Sequence, residues 1–402
     1  MTQSPSVWTV MFALLGVHLA GMGVFLAVPV LAPAIAIEAG IPAALAGVHT
    51  ALVYAGALVS GPLTGAFIHR FGGIRVLQAG LTVCGLALVL SILAHPVALV
   101  VSAFACGMGH GPVTPAGSHL LAQKAPANRR SLIFSLKQCG VPAGSMLVAA
   151  ITPVIAAVFG WRAGILAVAA LLVAMALALQ PLRRPLDAER DRSARLGSLG
   201  AAWGAALGSL AILREVAALR RITVMAALYG VSQFCFSAFF VVFQVEALGV
   251  GLTEAGFRLA LAQGAGVAGR VGWGLLADRI GAWPVLIGLG LATAASGVAL
   301  LLAGPDWPGV LVALAGMAMG ATAIGWNGVF LAETARLAPT GRVGATTAAT
   351  GFVFGACMLV GPPAFSALVQ ASGGYGLGFG LCALTALAGA ALAHGGRAVA
   401  RP

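Results

Sequence analysis

The feature that most constrains this chain is a succession of long apolar runs separated by short polar breaks. A helix crossing a bilayer needs about 20 mostly apolar residues, since each residue advances it by about 1.5 Å. Twelve stretches meet that requirement: 7–36, 43–68, 74–94, 97–122, 131–157 and 162–182, then 221–247, 255–277, 282–303, 308–332, 342–369 and 376–395. Hydrocarbon offers no hydrogen-bonding partner, so such runs close their backbone bonds as α-helices. The expected fold is an all-α membrane protein with twelve transmembrane helices.

Composition agrees with the runs. Of 402 residues, 60% are hydrophobic and 8% charged, against about 25% charged in a soluble domain. Too little polar surface remains to solvate a globule of this size, so membrane lipid is expected to cover most of the outside. The six cysteines, Cys84, Cys106, Cys139, Cys235, Cys357 and Cys382, all fall inside apolar runs without metal-ligand spacing. Neither a metal nor another cofactor is expected. The segment from Met1 to Ser6 lacks a basic region, and the run after it is too long for a signal peptide. It reads as an uncleaved first span.

One long polar segment, 183–220, separates the sixth and seventh runs. It carries Arg183, Arg184, Arg190, Arg192, Arg195, Arg214 and Arg220, interleaved with Asp187, Glu189, Asp191 and Glu215. The chain thus divides into an N-terminal six-helix half, 1–182, a linker, 183–220, and a C-terminal six-helix half, 221–402. The formal charge of +12 would suggest nucleic-acid binding in a soluble protein. Here it sits in short loops, which points to topology and not to a nucleic-acid partner. Arg70, Arg75, Lys124, Arg129, Arg130, Arg279, Arg336 and Arg342 all fall in loops on the linker side, and Arg397 and Arg401 extend the tail. The opposite loops hold only Arg162 and Arg258. By the positive-inside rule, both termini and the linker are cytoplasmic. The Ala-, Gly- and Arg-rich usage suggests a bacterial inner membrane.

The halves repeat. Phe25 aligns with Phe234, Gly65 with Gly274, Arg70 with Arg279 and Gly72 with Gly281, all at a shift of 209; Gly107 and Gly111 pair with Gly316 and Gly320 at the same shift. Gly140 and Gly144 pair with Gly351 and Gly355 at 211. Glycines recur where helices approach closely. Two parallel six-helix bundles related by pseudo-symmetry are expected to place a transport site between them, near the midplane.

The segment Gly274-Leu-Leu-Ala-Asp278-Arg279-Ile-Gly281 resembles the loop signature of the major facilitator superfamily. Its sister copy is Gly65-Ala-Phe-Ile-His69-Arg70-Phe-Gly72, where His69 stands in place of the usual acid. Span count, central loop and both signature positions carry the resemblance over essentially the whole chain. It implies the major facilitator fold, with His69, Arg70, Asp278 and Arg279 as gating residues that latch one state. His69 either makes that latch weaker and pH-dependent, or marks a copy that has drifted.

A charge at bilayer depth is expensive and marks a functional candidate. Two cations qualify, Lys137 and Arg270, and no Asp or Glu is expected deep in a span; Glu246 sits near the outer end of the seventh. Lys137 precedes Gln138, Gly140, Pro142 and Gly144 on the fifth span. It reads either as a cavity-facing cation that attracts an anion or as a lysine snorkelling to the interface. Arg270 lies two turns before Asp278. The chain is similar here to monocarboxylate and oxalate:formate members of the superfamily, and that resemblance implies an arginine that binds the substrate carboxylate, which suits a planar guanidinium. The other reading pairs Arg270 with the loop signature. Gln138, Gln233, Gln263, Trp326, Asn327, Tyr54 and His18 are the further substrate-binding candidates, each weighed against a helix–helix hydrogen bond. His110 and His119 flank a Pro112/Pro115 kink, and a histidine there could carry protons.

These residues favour a secondary transporter of a small organic anion, a carboxylate, working as a monomer by symport with protons or by exchange. The alternative within the same fold is a proton-driven exporter of drugs or metabolites, which usually needs a buried carboxylate. An intramembrane metalloenzyme would show an H-E-x-x-H cluster and an ATP-driven pump a Walker A loop; the chain has neither. A sensor would need a soluble output domain longer than 183–220. No enzymatic activity is expected.

Overall fold

The structure, a computed structural model, describes residues 5–126, 129–194 and 196–399, with the backbone alone for 130–132, 135, 199 and 397–399. Met1, Arg195 and Arg401 lie outside the described residues, as do the side chains of Arg130 and Arg397.

The described chain is helical throughout, with no strand. Eleven helical stretches are long and apolar enough to cross a membrane. They are α1 (Val7–Ala39), α2 (Ala43–Phe71), α3 (Gly73–Leu93), α4 (Pro96–Lys124), α5 (Leu136–Phe159), α6 (Trp161–Ala178), α7 (Ala217–Glu246), α9 (Ala282–Leu302), α10 (Gly309–Leu337), α11 (Val343–Ser372) and α12 (Gly376–Gly396). Between them, α8 (Leu252–Ile280) is 29 residues long, but Gln263, Arg270 and its many glycines dilute its apolar run. Length, which closes the backbone bonds, survives there; hydropathy is given up for polar groups.

Several helices run past the apolar windows read from the sequence. The extension of α10 to Leu337 brings Glu333 inside a spanning helix, only 5% exposed. Glu333, one residue past the apolar run read from the sequence, is thus a carboxylate buried in the protein near the end of α10. The charge is tolerated because Arg336, one turn on, pairs with it at 2.6 Å.

Five of the long helices are interrupted, at Met22 in α1, Gly111-Pro112 in α4, Cys139 in α5, Ile324–Trp326 in α10 and Leu359-Val360 in α11. Proline and glycine at or beside most of these positions remove donors or leave the backbone free to turn. Each break frees backbone groups that side chains can then use.

The chain forms two compact units. One comprises Met1–Ile41 and Leu52–Gly204, the other Pro42–Ala51 and Ala205–Pro402. Within the first unit α1 packs on α5 and α3 on α6; within the second, α7 packs on α11 and α9 on α12. The small residues of the repeat make these contacts possible. A Cβ on Gly107 would sit 2.0 Å from the Val53 carbonyl on α2, and one on Gly320 would sit 2.0 Å from the Ala262 carbonyl on α8. Gly72 and Gly281, which begin the helices after the two signature copies, adopt the same left-handed conformation, with φ of 93° and 92°. A side chain would be strained at either position.

Candidate functional site

In the first unit, polar groups from α1, α4 and α5 converge. Helix α5 approaches α1 so closely that a Cβ on Gly144 would lie 2.2 Å from the Leu19 carbonyl, and one on Gly140 would lie 2.5 Å from that of Leu15. This close approach carries Lys137, just before the Cys139 break, into the interior, where it is 1% exposed. A snorkelling lysine would reach solvent; this one does not. Its ammonium donates to the Ser118 hydroxyl on α4 at 2.9 Å and lies 5.4 Å from the Phe134 ring centroid. None of the four ion pairs among the described residues includes it. Two of the three ammonium donors thus have no hydrogen-bond acceptor among the described residues, in a setting where desolvated charge is costly.

His18 is buried beside it on α1. One ring nitrogen bonds the Leu14 carbonyl at 2.9 Å; the other, Nε2, has no hydrogen-bond partner among the described residues. Its Cβ lies against Gly140, and its ring faces Gly117 of α4. His110, at the α4 break, stacks edge-on against Phe25 at 4.8 Å, and Phe25 in turn contacts Tyr54 at 5.3 Å. The kink histidine His119 is exposed and near Gln123, at 3.2 Å. Gln138 is half-buried next to Lys137. Sequence reasoning missed Ser118, whose only signal was a hydroxyl in an apolar run.

In the second unit the break in α10 does the positioning. The freed Ile324 carbonyl accepts Nε of Arg270 at 3.2 Å and the Asn327 amide at 3.4 Å. The same amide donates to Gln233 on α7 at 3.0 Å, and Trp273 donates to the Ala321 carbonyl at 2.9 Å. Arg270, Asn327 and Gln233 therefore share one polar network. Gln263 stands apart from it, buried and donating to the Ser237 hydroxyl at 3.2 Å. Trp326 is packed among Tyr229, Phe330 and Phe354, 1% exposed, as part of the apolar core.

The two signature copies differ in their surroundings. His69 is exposed, and its carbonyl accepts the Asp191 backbone N–H at 2.9 Å. Arg70 reaches the Ala194 carbonyl at 2.8 Å and lies over Phe71. The buried Asp187 carboxylate takes the backbone N–H groups of Ile74 and Arg75, at 2.8 and 3.0 Å. A carboxylate at a helix N-terminus satisfies orphan donors and meets the positive end of the dipole. In the second copy Asp278 and Arg279 are exposed, and among the described residues Pro284 alone comes within 4 Å of the position a Gly281 Cβ would take.

Comparison with known proteins fits this architecture. The Major Facilitator Superfamily profile matches residues 13–362. A protein of Oryza sativa subsp. japonica named probable anion transporter 4, chloroplastic, is 34% identical over 128 residues, 31% of this chain and 22% of that protein. The ascorbate transporter, chloroplastic, of Arabidopsis thaliana is 33% identical over 110 residues, 26% of this chain and 20% of that one. The matched region thus spans only about a fifth of each relative's length. Two solved structures share the fold: the nucleoside transporter NupG, with a TM-score of 0.76 and 13% identity over 98% of this chain and 100% of that one, and a POT family transporter in complex with 5-aminolevulinic acid, with a TM-score of 0.77 and 14% identity over 98% and 96%.

Proposed function

The chain belongs to the Major Facilitator Superfamily, and from that premise we propose that it is a secondary transporter of a small organic anion, a carboxylate, working by alternating access. A multi-pass membrane transporter for a small molecule follows from the family alone. The anion is the further step. The observation that carries it is Lys137, a buried ammonium held by one neutral hydroxyl, with no carboxylate paired to it among the described residues. An anionic substrate supplies the missing counter-charge. Partial relatives that bear the names of an anion transporter and an ascorbate transporter support the same sign of charge.

In the second unit, Arg270, with Asn327 and Gln233 in its network, is the other candidate group for a carboxylate. Its Nε donates to the Ile324 carbonyl at 3.2 Å, which orients the guanidinium, a group whose planar fork suits a carboxylate. His18 and its free Nε2 offer a proton-carrying group beside Lys137.

The reading places the protein in a cell inner membrane with both termini cytoplasmic. The distribution of basic residues supports it: the linker-side loops carry the excess of Lys and Arg over the opposite loops.

The experiment is a thermal-shift screen of the purified protein against mono- and dicarboxylates, ascorbate included, followed by uptake of the stabilising compound into proteoliposomes. Binding to the folded state raises stability by mass action. Lys137→Gln and Arg270→Gln should abolish uptake with membrane insertion intact; saturable uptake retained in both variants overturns the assignment. A second reading, proton-driven export of drugs or metabolites, draws on the buried Glu333. Stabilisation by lipophilic cations and by no carboxylate would favour it.

A further inference from the structure

The first unit holds a second anion-attracting feature, independent of the substrate reading. A cavity of about 260 Å³ opens where α2 ends, α3 begins and the chain leaves α6, lined by Arg70, Phe71, Arg75, Arg183, Arg190 and Arg192. Five of six lining residues are arginines. The pocket's walls come from the end of α2, the start of α3 and the segment after α6.

We propose that this pocket binds a phosphate group, carried by an anionic phospholipid or free in solution. Three of the guanidiniums are held through hydrogen bonds to neutral acceptors. Arg70 donates through one nitrogen to the Ala194 carbonyl at 2.8 Å, Arg190 to the Asp187 carbonyl at 2.7 Å, and Arg75 to the Gln78 amide oxygen at 3.4 Å. None of the five makes an ion pair among the described residues. The nearby acids are engaged elsewhere or turned outward. The Asp187 carboxylate is buried against the start of α3, the Asp191 carboxylate takes the N–H and hydroxyl of Ser193 at 2.8 and 2.5 Å, and Glu189 is exposed. Like charges held together repel unless an anion joins them. Guanidiniums take phosphate oxygens in parallel pairs of hydrogen bonds, and basic pockets at membrane depth recognise anionic headgroups. Phe71 supplies an apolar wall suited to a glycerol or upper acyl segment.

The test uses the full chain in non-ionic detergent. Native mass spectrometry measures adducts with phosphatidylglycerol and with phosphatidylcholine, and thermal shift measures the response to inorganic phosphate. The wild type is compared with the triple variant Arg183→Gln, Arg190→Gln, Arg192→Gln. Each basic residue near a charged membrane surface contributes about 1 kcal/mol, so the triple change should weaken the anion at least about tenfold. Phosphatidylglycerol retained by the wild type and lost in the variant assigns a lipid headgroup. Stabilisation by inorganic phosphate that the variant loses, with no lipid preference, assigns free phosphate. Equal behaviour of wild type and variant toward both probes overturns the proposal. Should the triple variant fail to fold, Arg192→Glu on an exposed side chain gives the same comparison, and unchanged binding there is equally fatal.

Discussion

Asp187 accepts the backbone N–H of Ile74 at 2.8 Å across 113 residues of sequence, and so ties the segment after α6 to the first turn of α3. The contact closes a helix end that the sequence, with His69 in the acidic position of its signature, leaves without a local carboxylate. The repeat-related helix α9 has no such cap among the described residues, and Asp278 stays exposed beside it. An acid is thus present at the first signature copy in space, although it is absent there in sequence.

Removing that cap should loosen the linker. Loss of a capping side chain costs about 1 kcal/mol, and about 2 kcal/mol in the strongest cases. Asp187→Ala is expected to lower the thermal midpoint and to speed proteolysis within 188–198, while α7 to α12 keep their protection. Unchanged cleavage of the linker would show that the cap does not hold it.

The same carboxyl sets a pH dependence. Burial pushes the Asp187 carboxyl above the usual carboxylate range, against the opposing pull of the Ile74 and Arg75 N–H groups and of Arg190 and Arg183. A folded-state value above the unfolded one means that the folded protein binds the proton more readily between the two, so stability from this group rises as pH falls through that window. Wild type should therefore gain in midpoint relative to Asp187→Asn on acidification from neutral pH toward pH about 4. A relative loss would reverse the assigned sign.

Overpacking at the α1–α5 contact should be costly. A Cβ at position 144 would fall 2.2 Å from the Leu19 carbonyl, an atom that cannot rotate away. Gly144→Ala is expected to destabilise by about 2 kcal/mol, read as a lower midpoint in detergent, and to lower uptake by displacing Lys137. A variant as stable as the wild type would mean that the two helices can separate there freely.

His69→Asp tests the gate. The side chain is exposed, so stability should change by less than about 0.5 kcal/mol. If the imidazole gates, the pH dependence of uptake should differ between the variant and the wild type; an identical profile removes His69 from the gating set.

Much of this protein was legible along the chain because hydropathy and helix length are local properties. The apolar runs, the basic loops and the glycines of the repeat all follow from which residues neighbour which in sequence, whereas the burial of Lys137 depends on the approach of α5 to α1. The end of α10 was less legible: the apolar window stops before Glu333, whereas the helix runs on to Leu337 with Glu333 buried and paired to Arg336. What tertiary structure alone decided are partnerships between distant segments: Ser118 under Lys137, Ile324 on Arg270, Asp187 at the head of α3, and the arginines drawn from two separated segments into one pocket. A hydrogen bond needs its atoms within about 3 Å, and spacing along a chain does not specify which helices will bring them there.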